Sequence, residues 1–317
     1  MDSIIDKAKA LREDFFREME KVILGKPALL ERLLTALVTG SHVLIEDVPG
    51  LGKTTAAKAL AKIIHSPTGD ITFRRIQFTP DLLPYDITGV DVFDPGTQKF
   101  EFKPGPVFTD ILLADEINRT TPKVQSALLE VMEERQVTVG QTTRPLGPLF
   151  FVIATQNPIE MEGTYPLPAA QLDRFLMKLS VGYPSPEEEK RIYLQDPSHK
   201  TLPNLHPSVD AEALLEVRAG AETVHVDPKI LDLIFNLVEG TRNHKAVHLG
   251  VSPRGGVLFL KAVRVLALLR GRDFVIDQDV ADLVYDVLAH RLHVKSPKTS
   301  ARQVLMELLN HEMAKLP

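Results

Sequence analysis

The chain has 317 residues, enough for one large domain or two smaller ones, and its 44% hydrophobic and 25% charged content is that of a folded globular protein rather than a disordered one. A formal net charge of −5 argues against a protein built to coat nucleic acid, whose domains are basic, while leaving room for a small basic patch. Cysteine is absent, which removes disulfides and Cys-ligated zinc and fits a reducing compartment. Met1–Asp14 is charged throughout and lacks the apolar run of a secretory signal. No stretch approaches the ~18 apolar residues of a membrane span, so a soluble, cytoplasmic protein is expected.

In chain order, Ile4 to Ile23 alternates apolar and charged residues at helical spacing, and Gly25-Lys26-Pro27 interrupts it. Pro27 is well placed in the first turn of a second helix, to about Leu37. Val43-Leu44-Ile45 reads as a short buried strand and Thr54–Ile64 as an Ala- and Lys-rich helix. Ile71–Phe78 is a strand by its β-branched and aromatic content. Asp86–Phe108, rich in Gly and Pro with Phe93, Phe100, Phe102 and Phe108 among them, reads as a hairpin excursion. Ile111–Ala114 is a buried strand, Lys123–Glu134 a helix, Val137–Val139 and Thr142–Leu146 a hairpin turning at Gly140, and Leu149–Ala154 and Leu176–Leu179 further strands. Strands alternating with helices predict a parallel sheet covered on both faces, an α/β fold. Composition shifts at Tyr183-Pro184-Ser185-Pro186, and helices alone are predicted beyond: Pro186–Leu194, Asp227–Asn243, Pro253–Leu269, Asp277–Leu292 and Ser300–Leu316. The expected division is an α/β domain over 1–183 with an excursion at 86–108, a linker region at 184–207, and a smaller all-α domain at 208–317.

The chemistry is concentrated where predicted strands end. The first strand runs into Asp47-Val48-Pro49-Gly50-Leu51-Gly52-Lys53-Thr54-Thr55, a Walker A loop from Gly50 onward, with Asp47 where the first glycine usually falls. Gly50 and Gly52 let backbone N–H groups turn inward on a phosphate, the following helix N-terminus adds positive potential, Lys53 reaches the β- and γ-phosphates, and the Thr54 hydroxyl suits Mg²⁺. A plain Gly-rich turn would not need the strand, the Gly-Lys-Thr triplet and the helix in this order. Ile111–Ala114 ends in Asp115-Glu116. Outside the carboxyl end of a parallel strand, Asp115 is placed to hold Mg²⁺ through a water and Glu116 to orient or deprotonate an attacking water. In isolation the same pair reads as two solvated or helix-capping acids. The strand Phe150–Ala154 ends in Thr155-Gln156-Asn157-Pro158, where Asn157 either hydrogen-bonds a γ-phosphate or lytic water or makes an ordinary Asn-Pro turn. Arg174, in Gln171-Leu172-Asp173-Arg174-Phe175, and Arg254, in Ser252-Pro253-Arg254-Gly255, could each neutralise charge on a transferred phosphoryl group. Alone, either reads first as a surface salt-bridge partner.

With these motifs in this order the sequence resembles the AAA+ ATPases and, within them, the MoxR family. The likeness runs from about Val22 to Arg291. It is carried by Val48-Pro49-Gly50-Leu51-Gly52-Lys53-Thr54, Phe78-Thr79-Pro80-Asp81-Leu82-Leu83-Pro84, Asp115-Glu116-Ile117-Asn118-Arg119, Ala154-Thr155-Gln156-Asn157-Pro158 and Leu172-Asp173-Arg174-Phe175. The resemblance implies a P-loop sheet followed by a helical lid, with ATP and Mg²⁺ as ligands. It makes Asn157 sensor 1, Arg174 an arginine finger and Arg254 sensor 2. Val22-Ile23-Leu24-Gly25 then lies near adenine, and 86–108 is the helix-2 insert shared with magnesium chelatase and replicative helicase subunits. It further implies a homo-oligomeric, hexameric ring that remodels protein partners, often ones carrying von Willebrand factor A domains, with the nucleotide between the α/β domain and the lid. A finger used in trans completes the site only in the oligomer.

Two other functions compete: a nucleic-acid-dependent motor, which the acidic balance and the lack of a basic, aromatic-bearing run oppose, and a nucleotide-gated binding scaffold, which Glu116 beside Asp115 opposes. The histidine pairs 244/248 and 290/293 are expected to be solvated or capping rather than metal-binding. Glu130, Glu133 and Glu134 read as an exposed helix face.

Overall fold

A computed structural model describes residues 2–67, 69, 71–158 and 163–315. In chain order the elements are α1 (Asp2–Met19), α2 (Pro27–Thr39), β1 (Val43–Glu46), α3 (Lys53–Ile63), β2 (Ile64–His65), β3 (Phe73–Gln77), α4 (Pro84–Thr88), β4 (Gly89–Asp94), β5 (Lys99–Pro104), β6 (Ile111–Asp115), α5 (Pro122–Glu134), β7 (Gln136–Val139), β8 (Thr142–Pro145), β9 (Phe151–Gln156), α6 (Ala169–Leu172), β10 (Met177–Leu179), α7 (Pro186–Gln195), β11 (Val209–Asp210), α8 (Ala211–Gly220), α9 (Pro228–Asn243), β12 (Val247–Leu249), α10 (Pro253–Leu269), α11 (Asp277–Leu288), β13 (His293–Val294) and α12 (Ala301–Met313). The expected end of the last helix at Leu316 lies outside the described residues.

Five strands form one wholly parallel sheet in the order β10-β1-β9-β6-β3. The strand feeding the glycine loop, β1, is therefore separated from the strand carrying the acid pair, β6, by β9. Because side chains alternate across a strand, each strand feeds two cores. Val43 and Ile45, Ile111 and Leu113, Phe151 and Ile153 enter one core with α1, α2 and α3. Leu44, Leu112 and Ala114, Val152 and Ala154 enter the other with Val124, Leu128 and Leu129 of α5. Burial on both faces accounts for the continuous apolar runs of β6 and β9.

The C-terminal helices share the first of these cores. Phe259, Val263 and Leu266 of α10, Val280 and Leu283 of α11 and Val217 of α8 belong to the same cluster as Leu30, Leu33 and Leu37 of α2, and α1, α2 and β10 are their packing partners. An ionic network on the same seam joins Glu31 of α2 to Arg270 (2.7 Å), Arg270 to Asp282 (2.7 Å), and Arg32 to Asp286 (3.1 Å). The bulk of the helical part thus packs beside the sheet rather than over the glycine loop.

Two hairpins leave the sheet. β4–β5 pairs antiparallel from Gly89↔Pro104 to Asp94↔Lys99, within the predicted excursion. β7–β8 turns at Gly140, whose φ of 60° is a left-handed value that glycine adopts without strain. The two meet where the Arg144 guanidinium lies 3.8 Å over the Phe102 ring and 3.6 Å from Asp91. Phe102 also packs edge-on to Phe108, whereas Phe93 and Phe100 remain largely exposed on the first hairpin.

Candidate functional site

Parallel strands with their carboxyl ends at one edge of the sheet converge the loops that follow them. Here the loops after β1, β6 and β9 enclose a cleft of about 690 Å³ lined by Pro49, Gly50, Gly52, Lys53, Thr54, Thr55, Asp115, Glu116, Thr155 and Asn157, together with Arg75, Gln77, Arg119, Gln156 and Ser198. Gly50 and Gly52 stand at φ 86° and 85°, left-handed values that glycine adopts without penalty, and Gly52 opens α3. Lys53 Nζ donates to the carbonyls of Asp47 and Val48, folded onto the loop. Burial lowers the Lys53 pKa, and the charges of Asp47, Asp115 and Glu116 oppose that shift.

Asp47 is an anchor. Its carboxylate accepts from the Ser180 hydroxyl (2.9 Å), the Gly182 N–H (2.7 Å) and the Val48 N–H (2.9 Å), tying the start of the loop to the segment after β10. Burial works against its charge, yet these hydrogen bonds hold its carboxyl below the ordinary value. At this position a glycine would lose that tie.

The acid pair is held from three sides. Asp115 accepts from the Thr155 hydroxyl on one oxygen and from Arg75 Nη2 (2.7 Å) and Nε (3.1 Å) on the other. Glu116 has left-handed backbone angles, φ 58° and ψ 48°, a conformation that persists in a non-glycine residue only where surroundings impose it. Those surroundings are the Thr155 hydroxyl on its N–H (2.9 Å), Gln77 Nε2 (2.6 Å) and Arg119 Nε (3.1 Å) on its carboxylate. Thr155 thus couples β9 to both acids. Asn157 lines the cleft and is buried.

A second cavity of about 320 Å³ shares Pro49, Gly50, Gly52, Thr55 and Ser198 with the first and extends between Val22, Ile23, Leu24 and Leu51 on one side and Val181, Tyr183, Pro184, Ile192 and Tyr193 on the other. Its apolar walls suit a planar ring, and the polar cleft beside it suits phosphates. Thr55 and Ser198 hydroxyls, 3.0 Å apart, join α3 to the segment after α7. Gly25 stands behind this wall, where a Cβ would fall 2.4 Å from Glu188 of α7. Beyond 184, the cavities are bordered by α7 and residues 197–198 alone, so the nucleotide-sized space lies between the sheet and α7 rather than under α9–α12.

Arg174 and Arg254 do not reach this cleft. Both bind one carboxylate, Glu133 at the end of α5, at 2.9 Å and 2.6 Å. The exposed face expected for Glu133 is present, but it carries this double ion pair. Asp173 braces the same region: it accepts from the Ser252 hydroxyl (2.9 Å) and from Arg291 Nε (2.7 Å), a guanidinium that also donates to the carbonyls of Phe175 and Leu176. The expectation of solvated or capping histidines does not hold for His290, which is buried against Phe175 O and lies well below its ordinary pKa through burial and the neighbouring Arg291 charge. Among the described residues no group of three or more His, Asp or Glu side chains could cage a metal.

A glycine loop after β1, an acid pair after β6 and a polar residue after the strand between them define a P-loop ATPase of the AAA+ class. Residues 42–177 match the family model of ATPases associated with various cellular activities, and residues 239–308 match the AAA lid domain. The chain is similar to the uncharacterized protein YeaC of Bacillus subtilis, 50% identical over 275 residues covering 86% of this chain and 84% of that protein. It is similar to chaperone MoxR1 of Mycobacterium tuberculosis, 45% identical over 284 residues covering 87% and 74%. A crystal structure from Cytophaga hutchinsonii classed with the ATPases superposes with a TM-score of 0.87 at 37% identity, covering 97% of each chain. The chain belongs to the MoxR family of AAA+ proteins and is an ATP-hydrolysing enzyme.

Arg75, Gln77, Thr155, Glu133 and Asp173 are the site residues that sequence reasoning left without roles. Asp173 and Thr155 sit inside motifs singled out there. Nothing local marks Arg75, Gln77 or Glu133, whose parts depend on which strand or helix lies next to them.

Proposed function

We propose that the protein couples Mg²⁺-dependent ATP hydrolysis to the remodelling of protein partners, as a chaperone-like subunit of a cytoplasmic homo-oligomeric ring, most simply a hexamer. Residues 1–183 act as its motor domain, 208–317 as its lid, and 184–207 as the segment between them. The observation that carries this reading is the convergence of Lys53, Asp115, Glu116 and Asn157 on one cleft while Arg174 and Arg254 stand together outside it. Lys53 neutralises the β- and γ-phosphates, the Gly50–Gly52 backbone and the α3 N-terminus cradle them, and Ile23 and Leu51 line the base cavity. Glu116, positioned by Gln77 and Arg119, orients the attacking water and takes its proton, and Asn157 hydrogen-bonds that water or the γ-phosphate.

Thr54 and Asp115 are hard oxygen donors in the same cleft, and the absence of an all-protein cage among the described residues suits Mg²⁺, which keeps waters and phosphate oxygens as ligands. With both Asp115 oxygens engaged by Thr155 and Arg75, Asp115 acts through a bound water. When bound, the ion neutralises charge on the β- and γ-phosphate oxygens. Arg174, as finger, and Arg254, as sensor 2, act on a neighbouring subunit's nucleotide.

A relative named as a chaperone supports protein clients, and partners with von Willebrand factor A domains fit the same role. The exposed Phe93 and Phe100 offer a client-facing surface on the insert. Lys53→Ala should abolish ATP binding. Glu116→Gln should keep binding while losing ~10²–10⁴ in turnover, the range of general base catalysis. Full turnover in Glu116→Gln would remove the assigned base. Stimulation of ATPase by single-stranded DNA with steep salt dependence would favour a nucleic-acid motor instead.

A further inference from the structure

A third cavity stands at the other edge of the sheet. Gly40 and Ser41 precede β1, Pro148 precedes β9 and Arg135 ends α5, so this region lies at the amino ends of the strands whose carboxyl ends hold the phosphate loop. The cavity measures about 560 Å³, and four cations line it: Arg135, Arg218 of α8, and Lys261 and Arg264 of α10. Glu222 is the one carboxylate in the lining. No ion pair joins any of the four cations to a carboxylate among the described residues. The lining therefore carries about three net positive charges on a protein whose net charge is −5.

Two of these cations are held by carbonyls rather than neutralised. Arg218 donates to the carbonyls of Val38 (3.0 Å), Leu37 (3.1 Å) and Pro148 (2.8 Å). Arg135 donates to Gly40 O and Pro148 O from a left-handed backbone position, φ 51°. Carbonyls at the end of α2 favour a cation through the helix dipole but bear no full charge. The Arg264 Nε is buried without a hydrogen-bond partner, although such groups in folded proteins normally find one. Burial first, then the Arg135 charge, pushes Arg218 down to about 10. His42, next to this field, is buried, and burial lowers its pKa to about 3, with the Met132 carbonyl opposing that shift and the same two arginines adding to it. Capping the end of α2 engages Arg218 and Arg135. It accounts for neither Lys261 nor Arg264 around the same space.

We propose that this cavity is a second anion site, separate from the ATPase cleft, that takes a compact polyphosphate: pyrophosphate itself or the diphosphate of a small nucleotide. Arg218 and Arg135 spend their donors on carbonyls and contribute charge, Lys261 and Arg264 supply direct contacts, and a compact ligand of two to three charges matches the lining better than a single carboxylate. A space of about 560 Å³ is the size that takes a small ligand, which favours one over an extended acidic peptide or a nucleic-acid strand.

The test is calorimetric titration of pyrophosphate into the full chain with the ATPase cleft kept saturated by ADP and magnesium omitted. One further binding event is expected. In Lys261→Gln/Arg264→Gln it should weaken at least ~tenfold, the loss of charge-assisted bonds, while ADP affinity at the phosphate loop stays as in wild type. Lys261→Gln alone alters an exposed side chain and should weaken the event in the same direction, which guards against misfolding of the double variant, itself checked by its melting midpoint. A titration of ADP alone separates the sources: two bound per chain assigns a nucleotide diphosphate, and one bound with pyrophosphate still taken up assigns the inorganic anion. A single ADP bound per chain with no pyrophosphate uptake by the ADP-saturated protein, a second event of equal strength in the variants, or displacement by a poly-glutamate peptide at lower concentration would overturn the proposal. Failure of the ATPase reading would show instead in Lys53→Ala, which leaves this cavity untouched.

Discussion

Replacing Asp47 by the glycine that a Walker A loop usually carries should destabilise this protein. The Asp47 backbone is not among the left-handed positions of the chain, so glycine gains nothing from its conformational freedom and costs ~0.5–1 kcal/mol through the unfolded state. The substitution also removes the bonds from Ser180 Oγ and Gly182 N. A hydrogen bond to a charged group contributes ~1.5–3 kcal/mol. Asp47 is only partly buried, so roughly half that value applies to each bond. The sum is ~2–4 kcal/mol. With an unfolding entropy near ~2.1 cal/mol/K per residue over 317 residues, or ~0.67 kcal/mol/K, a loss of ~3 kcal/mol lowers the melting midpoint by ~4–5 °C. Scanning calorimetry on wild type, Asp47→Gly, Ser180→Ala and the double variant measures it. Ser180→Ala should cost ~1 kcal/mol in the wild-type background and almost nothing beside Asp47→Gly, the signature of a shared interaction. An Asp47→Gly protein that melts at or above the wild-type midpoint would refute the anchoring role.

Asp173→Ala should cost ~3 kcal/mol or more, because it strips the carboxylate from Arg291, whose side chain is 1% exposed, and leaves a buried charge uncompensated; a denaturant midpoint unchanged from wild type would contradict this. His42, with its pKa depressed to about 3 by burial, binds no proton in the folded state where the unfolded chain does. Its contribution is therefore complete above pH 6.5 and declines by ~1.4 kcal/mol per unit as pH falls towards 3, so the stability difference between wild type and His42→Asn should narrow over that window and stay flat above it, as urea titrations across pH would register. Arg174→Ala should lower ATPase activity, and mixing it with Glu116→Gln should restore part of it, since the second variant supplies the finger to the first; turnover in mixed assemblies no higher than the mean of the two pure variants would count against a finger used in trans.

The sheet and its chemistry were legible because both are written locally. Pro27, Pro253 and the Gly52-Lys53-Thr54 triplet start helices where they stand, and the acid pair falls at the end of an unbroken apolar strand. Boundaries slipped where apolar residues are buried for another reason. The helical pattern expected to Ile23 ends at Met19, because Val22, Ile23 and Leu24 are buried in the turn that walls the base cavity. The helix expected to Leu292 ends at Leu288, where the chain tightens to carry His290 and Arg291 towards Phe175 and Asp173. Helix α8 was not foreseen: between Pro207 and Gly220 only Ala211, Leu214 and Val217 are buried, a stripe too short to stand out, although Asp210 caps it. Strands of two or three residues, as in β2–β11 and β12–β13, are too short to display a period, so Ile64 is read as the end of a helix and the helices-only reading beyond Pro186 misses β11, β12 and β13.

The position of the two arginines bears most on how the ATPase is switched. Arg174 lies just before β10, and Leu176 N–H bonds to His42 O just before β1, so Arg174 belongs to the amino end of the sheet. The phosphate loop belongs to the carboxyl end, a strand length away, on the order of 13 Å for four residues. No side-chain rotation carries Arg174 across a packed sheet, and Arg254 is bound to the same Glu133. In the proposed ring a neighbour's triphosphate then competes with Glu133 for both guanidiniums. An exposed ion pair is a weak competitor, worth ~0–1 kcal/mol, and a triphosphate a strong one, so the pair would be released when a loaded neighbour docks. Because Asp173 ties Arg174 to Ser252 and Arg291, that release is transmitted to α10 and the helices packed on α1 and α2, giving nucleotide state a mechanical route from one subunit's cleft to the next subunit's lid.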